Sequence, residues 1–149
     1  MSMTTFHRIT SGNVRLLDQV APDVFDDVID PHRVVAYAAQ ASHLLIVALD
    51  ADRVVGQVAA YVHAHPDQPS DLYIDNLGVT PAMRRQGIAR RLVNEIREWG
   101  AALGCAQAWI VTDTDNLEAR QLYASSGAEA VEIVMYSYPL GNAPQPRDS

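Results

Sequence analysis

The sequence predicts a mixed α/β fold built around a central strand–loop–helix, and three observations carry that prediction. Ile88, Leu92, Ile96, Trp99 and Leu103 recur at helical steps and mark one apolar face, with Arg90, Arg91, Asn94, Arg97 and Glu98 on the remainder. "HLLIVALD" and "RVVGQVAAYVHA" flank Asp50-Ala51-Asp52 and read as a hairpin of two buried strands. "LYIDNLGV" reads as a further strand, which Pro81 stops shortly before the helix begins.

The other elements follow in order. "TTFHRIT", Thr4 to Thr10, predicts a first strand, and "GNVRLLDQVAPDVF" a helix leading into an acidic connection with Asp23, Asp26, Asp27 and Asp30. Pro31 opens a second helix, "PHRVVAYAAQAS", because proline is tolerated in a first turn. "HPDQPSD", His65 to Asp71, is a loop by its prolines and polar residues. Gly104 suits the C-terminal cap of the central helix. "AQAWIV" then predicts a short buried strand, "DTDNLEARQLYASSG" a helix ending near Gly127, and "VEIVMYSY" a last strand. Residues 1–140 read as a single domain, and the tail 141–149 as frayed.

Composition narrows the function. A chain of 149 residues, 48% hydrophobic and 19% charged, has enough material for one hydrophobic core. A formal net charge of -7 argues against nucleic acid as a partner and suits a small cationic one. Cys105 is the only cysteine, which excludes an internal disulfide and points to a reducing cytoplasm. "ALGCAQAW" offers that thiol no base or cation, so Cys105 reads as a core residue. "MSMTTFHRIT" lacks the apolar run of a signal peptide, and no stretch approaches the ~20 apolar residues that span a bilayer. Neither a membrane nor a metal is expected as a partner.

Against that acidity, "VTPAMRRQGIARRL" (79–92) concentrates Arg84, Arg85, Arg90 and Arg91 around Gly87. Such a stretch is either a solvated helix end or a phosphate cradle. Backbone N–H groups converging at a helix N-terminus favour an anion, a glycine admits close approach, and arginines add charge-assisted donors. Neither GxxxxGK[ST] nor GxGxxG occurs in the chain, which excludes the two commonest nucleotide loops.

"RRQGIA", led in by "NLGVTP", resembles the acyl-CoA pyrophosphate loop [QR]-x-x-G-x-[GA] of the GNAT N-acetyltransferase superfamily, with Arg84, Gly87 and Ala89 at its defining positions. "NLEARQLYASSG" resembles the family's second signature through Asn116, Ala119, Leu122, Tyr123 and Gly127. The resemblance is clear over residues 44–138. It implies the GNAT fold: a mixed, mostly antiparallel central sheet, splayed at the acetyl-CoA site and flanked by about four helices. "VVGQVAAYV", "DQPSDLYI", "RRQGIARRLVNEI", "ALG" and "VMYSY" look most like the small aminoglycoside 3-N-acetyltransferases. That implies direct transfer of acetyl from acetyl-CoA to the 3-amino group of an aminoglycoside, with acylation of a polyamine, small-metabolite or protein amine as the alternative. A non-catalytic acyl-CoA-binding regulator is a further one. The resemblance also admits a homodimer.

The same resemblance assigns roles. Backbone groups of Leu77, Gly78 and Val79 would bind the pantetheine arm where the strand splays, one N–H polarising the thioester carbonyl. Arg84, Arg85, Gln86, Gly87, Ile88 and Ala89 would hold the phosphates, and Ala119 belongs to the same cofactor surface. Asn116 would bond the arm, cap its helix, or do both. Tyr123 matches the tyrosine that protonates the leaving thiolate. The family's aminoglycoside group carries an aspartate at the position of Asn76, whereas the order here is Asp75-Asn76, so a one-residue bulge would be needed for Asp75 to replace it. Asp75 is the expected amine-binding base, with His63 and His65 as other candidates. Asn76 is expected beside Asp75 in the catalytic and substrate-binding set, Asp27 and Glu132 are expected substrate contacts, and Tyr138 a contact at the rim.

Overall fold

The computed structural model describes residues 3–142. Its sheet has five strands in the order β1 (Thr5–Arg8), β2 (His43–Asp50), β3 (Arg53–His63), β4 (Asp71–Val79) and β5 (Ala108–Ile110). Every neighbouring pair is antiparallel except β4 with β5, which run parallel. The helices are α1 (Pro31–Ala38), α2 (Ile88–Ala102) and α3 (Leu117–Ser125). Short 3-10 turns at Val14–Leu17 and Pro81–Met83 complete the order.

The expected hairpin is present. Ala51 and Asp52 both take positive φ, 50° and 66°, as a two-residue turn matched to the strand twist requires. β2 is buried from Leu44 to Leu49 because α2 contacts one face of the sheet and α1 the other. Burial on both faces explains why its sequence is a nearly unbroken apolar run. α1 begins where expected: Pro31 stands in its first turn, and Asp30 accepts a hydrogen bond from the His32 amide at 2.9 Å.

On α2 the buried stripe is Ile88, Leu92, Val93, Ile96 and Gly100. Trp99 is only partly buried, and Leu103 lies beyond the helix, 51% exposed. The expected stripe ran too far toward the helix end because Gly100 is the inward residue of the last turn. A Cβ there would stand 2.8 Å from Leu72, so the missing side chain lets α2 lie close on β4. Gly104 closes the helix with φ 87°, as expected of a cap.

Two expected elements differ. "GNVRLLDQVAPDVF" forms only the 3-10 turn, so among the described residues three α-helices flank the sheet instead of about four. Asn13 ties the turn to the end of β1 by donating to the Arg8 carbonyl and accepting from the Thr10 amide. The chain then extends so that the Val54 amide donates to Gln19 and the Ala21 amide to Val54, an exchange that a helix through Ala21 would forbid. The last strand, "VEIVMYSY", is absent: residues 128–140 join no ladder, and Val131, Val134, Met135, Tyr136 and Tyr138 are each more than three-quarters exposed. Apolar alternation makes a strand only where an edge receives it, and β5 is paired over just three residues. Of the expected frayed tail, residues 143–149 lie outside those described.

Candidate functional site

The site is built where β4 leaves β5. Their ladder pairs Leu72, Tyr73 and Ile74 with Ala108, Trp109 and Ile110 and goes no further, so 75–79 has no β5 partner. β4 remains paired with β3 on its other side, but the register shifts: Ala60 faces Ile74 and Ala59 faces Asn76. Asp75 is therefore the extra residue of a β-bulge.

The bulge changes which face the side chains occupy. Leu72 packs toward α2, and a Cβ on Gly56 would meet Ile88 and Leu92 of α2, so Ala60 and Ile74 share that face by alternation. Asn76 pairs instead with Ala59, and Gly78 with Gln57, on the opposite face. Asp75 lies on this second face too. Its charge acts on Tyr37 and Tyr73, which also stand there, so two consecutive residues face the same way. The Tyr37 phenol, which donates to the Ala60 carbonyl at 3.2 Å, is pushed up to about 12, by burial first and Asp75 second. Burial, then Asp75, then Tyr61 raise Tyr73. Asp75 itself is exposed.

The acidic connection lies over this face. Asp23 takes φ 64°, a left-handed turn that aspartate tolerates better than most residues, and the next carbonyl, Val24 O, comes so close that a Cβ on Gly78 would sit 2.2 Å from it. The close approach at Gly78 is thus that of the chain's own backbone. Asn76 donates to Asp26 at 3.3 Å. A cavity of about 440 Å³ continues from this connection, lined by Asp27, Asp30, Phe25, Tyr37 and Ala59 among others.

Beyond β4, the Thr80 amide donates to the Val55 carbonyl at 2.8 Å, and Arg84 Nε donates back to the Val79 carbonyl at 3.2 Å, closing the loop. Arg85 and Gly87 both adopt positive φ, 64° and 83°. Gly87 is the N-cap of α2 and offers no side-chain cap, so the first amides of Ile88 and Ala89 point out of the helix without one. Arg84, Arg85, Gln86 and Gly87 are exposed, and nothing lies within 4 Å of a Cβ built on Gly87. The other two arginines have structural partners. Arg90 donates to Ser125 Oγ at 2.7 Å and ties α3 to the start of α2; Arg91 pairs with Glu95 at 3.1 Å and covers the Phe6 ring.

On α3, Asn116 Oδ1 accepts from the Ala119 amide at 3.1 Å, which makes it the helix cap. Tyr123 is half-buried, and burial raises its phenol, so it remains protonated at neutral pH. The structure does not bring the histidines to Asp75. His65 bonds Asp71 at 3.1 Å, and His63 pairs in register with Asp71, four residues or about 13 Å along the strand from Asp75. Glu132 and Tyr138 stand on the unpaired 128–140 stretch, outside the sheet. Burial and Asp71 push the Cys105 thiol up, the opposite of what a nucleophile needs. Tyr37, Tyr73 and Gln57 were missed in the sequence. Gln57 had a signal, a polar residue inside an apolar strand run.

A sheet splayed beside a bulged carboxylate, followed by a helix with an uncapped N-terminus, defines an acyl-CoA-type acetyltransferase architecture. Residues 14–128 match the Acetyltransferase (GNAT) family, and the chain belongs to that family, whose enzymes use acetyl-CoA. The aminoglycoside N(6')-acetyltransferase type 1 of Serratia marcescens is 34% identical over 70 residues, 46% of this chain and 48% of that protein. The GCN5-related N-acetyltransferase 4, chloroplastic, of Arabidopsis thaliana is 33% identical over 78 residues, 52% of this chain and 25% of that protein. The matches thus span about half the length of the bacterial curated relatives and less of the plant one. An aminoglycoside acetyltransferase from an uncultured soil metagenomic sample, solved with sisomicin, superposes with TM-score 0.80 at 19% identity, covering 92% of this chain and 96% of that one. AAC(6')-Iy in complex with CoA gives 0.75 at 16%, covering 93% and 96%. These structural likenesses establish the fold. Among the described residues no helix is long and apolar enough to cross a membrane.

Proposed function

We propose that the chain transfers acetyl from acetyl-CoA to an amine of an aminoglycoside. The observation that carries this reading is the bulge at Asp75, which lifts a carboxylate out of the strand where β4 leaves β5 and beside an acidic connection. Leu77 to Val79 and the loop from Arg84 to Ala89 fit acetyl-CoA: an unpaired strand edge for the arm, then arginines and helix amides for the phosphates. Bound there, acetyl-CoA supplies the activated acetyl group.

Asp75 holds the ammonium of the acceptor and takes its proton, directly or through water. The freed nitrogen would then form the C–N bond as the C–S bond breaks; Tyr123 would give its phenolic proton to the leaving thiolate and regain one, directly or through water, from the acylated nitrogen as it sheds its excess proton. The bacterial relatives are named for the 6'-amine, which favours that position over the 3-amino group implied by the sequence. We place the reaction in the cytoplasm, where a lone cysteine stays reduced. A homodimer is part of the proposal, with the exposed apolar stretch from Val131 to Leu140 as the surface available to a second copy. Incubation with acetyl-CoA and a panel of aminoglycosides, polyamines and peptide amines, followed by free-thiol release, tests the reading. Turnover confined to aminoglycosides supports it; turnover confined to the other amines replaces the substrate class.

A further inference from the structure

Gln57 is a polar side chain with no exposed surface, in the middle of a strand where Val54, Val55, Val58 and Ala60 are also buried. Its amide nitrogen donates twice, to the Val24 carbonyl at 3.1 Å and to Asn76 Oδ1. Its Oε1 is buried with no partner. An unpartnered buried acceptor is destabilising, so an apolar residue would serve packing alone better. What glutamine adds here is the pair of donated bonds.

Those bonds hold two things at once. Asn76 lies on the Gln57 face only because of the bulge; without it, alternation would turn Asn76 toward α2, among Leu72, Ile74 and Ile96. Val24 O is the contact through which the acidic connection rests on Gly78, and Asn76 carries the tether onward to Asp26. We propose that Gln57 is a positioning residue of the acetyl transfer. By fixing Asn76 and Val24 together, it selects the bulged register that presents Asp75 and sets the acidic connection at a constant distance from it. This rests on the reading of Asp75 as the residue that receives the amine.

Gln57→Met keeps the side-chain volume and removes both donors. Activity is normalised to the enzyme fraction that binds acetyl-CoA, so that a loss of folded protein does not register. The expected result is a raised KM for the aminoglycoside and kcat/KM reduced between about tenfold and a hundredfold, with KM for acetyl-CoA unchanged. Asn76→Ala should do the same, and the double variant should be no worse than the more impaired single one, since both cut one tether. Amide hydrogen exchange across residues 23–28 should rise in both variants. Should Gln57→Met fail to fold, Asn76→Ala at its half-buried site carries the same expectations. An unchanged aminoglycoside KM, additive losses, or unchanged exchange at 23–28 would overturn the proposal. A wild-type protein that acetylates no amine would refute the proposed function instead, and the exchange measurement would still decide whether the tether exists.

Discussion

Tyr123 has the property that its proposed role as acid demands, a phenol that burial keeps protonated, on a helix tied by Arg90 to the start of α2. Tyr123→Phe keeps the ring and its packing but removes the proton. Its kcat should fall about a hundredfold, the usual contribution of a positioned acid, while acetyl-CoA affinity stays at the wild-type value. Stopped-time assays beside calorimetric titration separate the two, and wild-type turnover would make the tyrosine structural. Asp75 could be picked out from sequence as a carboxylate near the cleft, since a departure from the family's order marked the spot. Its neighbours could not. Tyr37 arrives from α1, and Tyr73 and Gln57 matter through contacts across strands, which no local pattern encodes.

At the scale of the element, two glycines constrain the site for different reasons. Gly78 has no room: its missing Cβ is the space taken by the Val24 carbonyl. Gly78→Ala should destabilise the fold by about 1–3 kcal/mol, read as a lowered Tm. Gly87 has ample room but needs its left-handed φ. Gly87→Val should leave the sheet intact, strain the loop by about 1–2 kcal/mol and weaken acetyl-CoA binding, because the new side chain enters the space before the α2 amides. Unchanged affinity in that variant would show that this loop does not cradle the phosphates. The hairpin, α1, α2 and α3 were legible because each carries its own periodicity, turn or cap. Elements set by distant partners were not. The segment after Gly12 reads as helical until one sees that Gln19 to Ala21 pair with Val54, and 131–138 reads as a strand although no ladder receives it.

For the molecule as a whole, charge is divided between two regions. The acidic connection holds Asp23, Asp26, Asp27 and Asp30 on the proposed acceptor side, whereas Arg84 and Arg85 stand exposed at the loop before α2. A polycation should therefore be attracted to one region and a phosphorylated cofactor to another. Raising ionic strength from low salt to the physiological range shortens the screening length to about 8 Å and should raise KM for both substrates. Acetyl-CoA should also raise Tm in proportion to the logarithm of its concentration once above Kd, because only the folded chain binds it. On the proposed mechanism, Asp75, lifted by the bulge, receives the proton of an aminoglycoside amine. Mass spectrometry of the products formed from acetyl-CoA with gentamicin-type and kanamycin-type compounds, for wild type and Asp75→Asn at several pH values, tests it most directly. The wild type should yield a singly acetylated aminoglycoside, and Asp75→Asn should show a steep loss of product that partly recovers as rising pH frees the amine. Wild-type product yields from Asp75→Asn at neutral pH would contradict it.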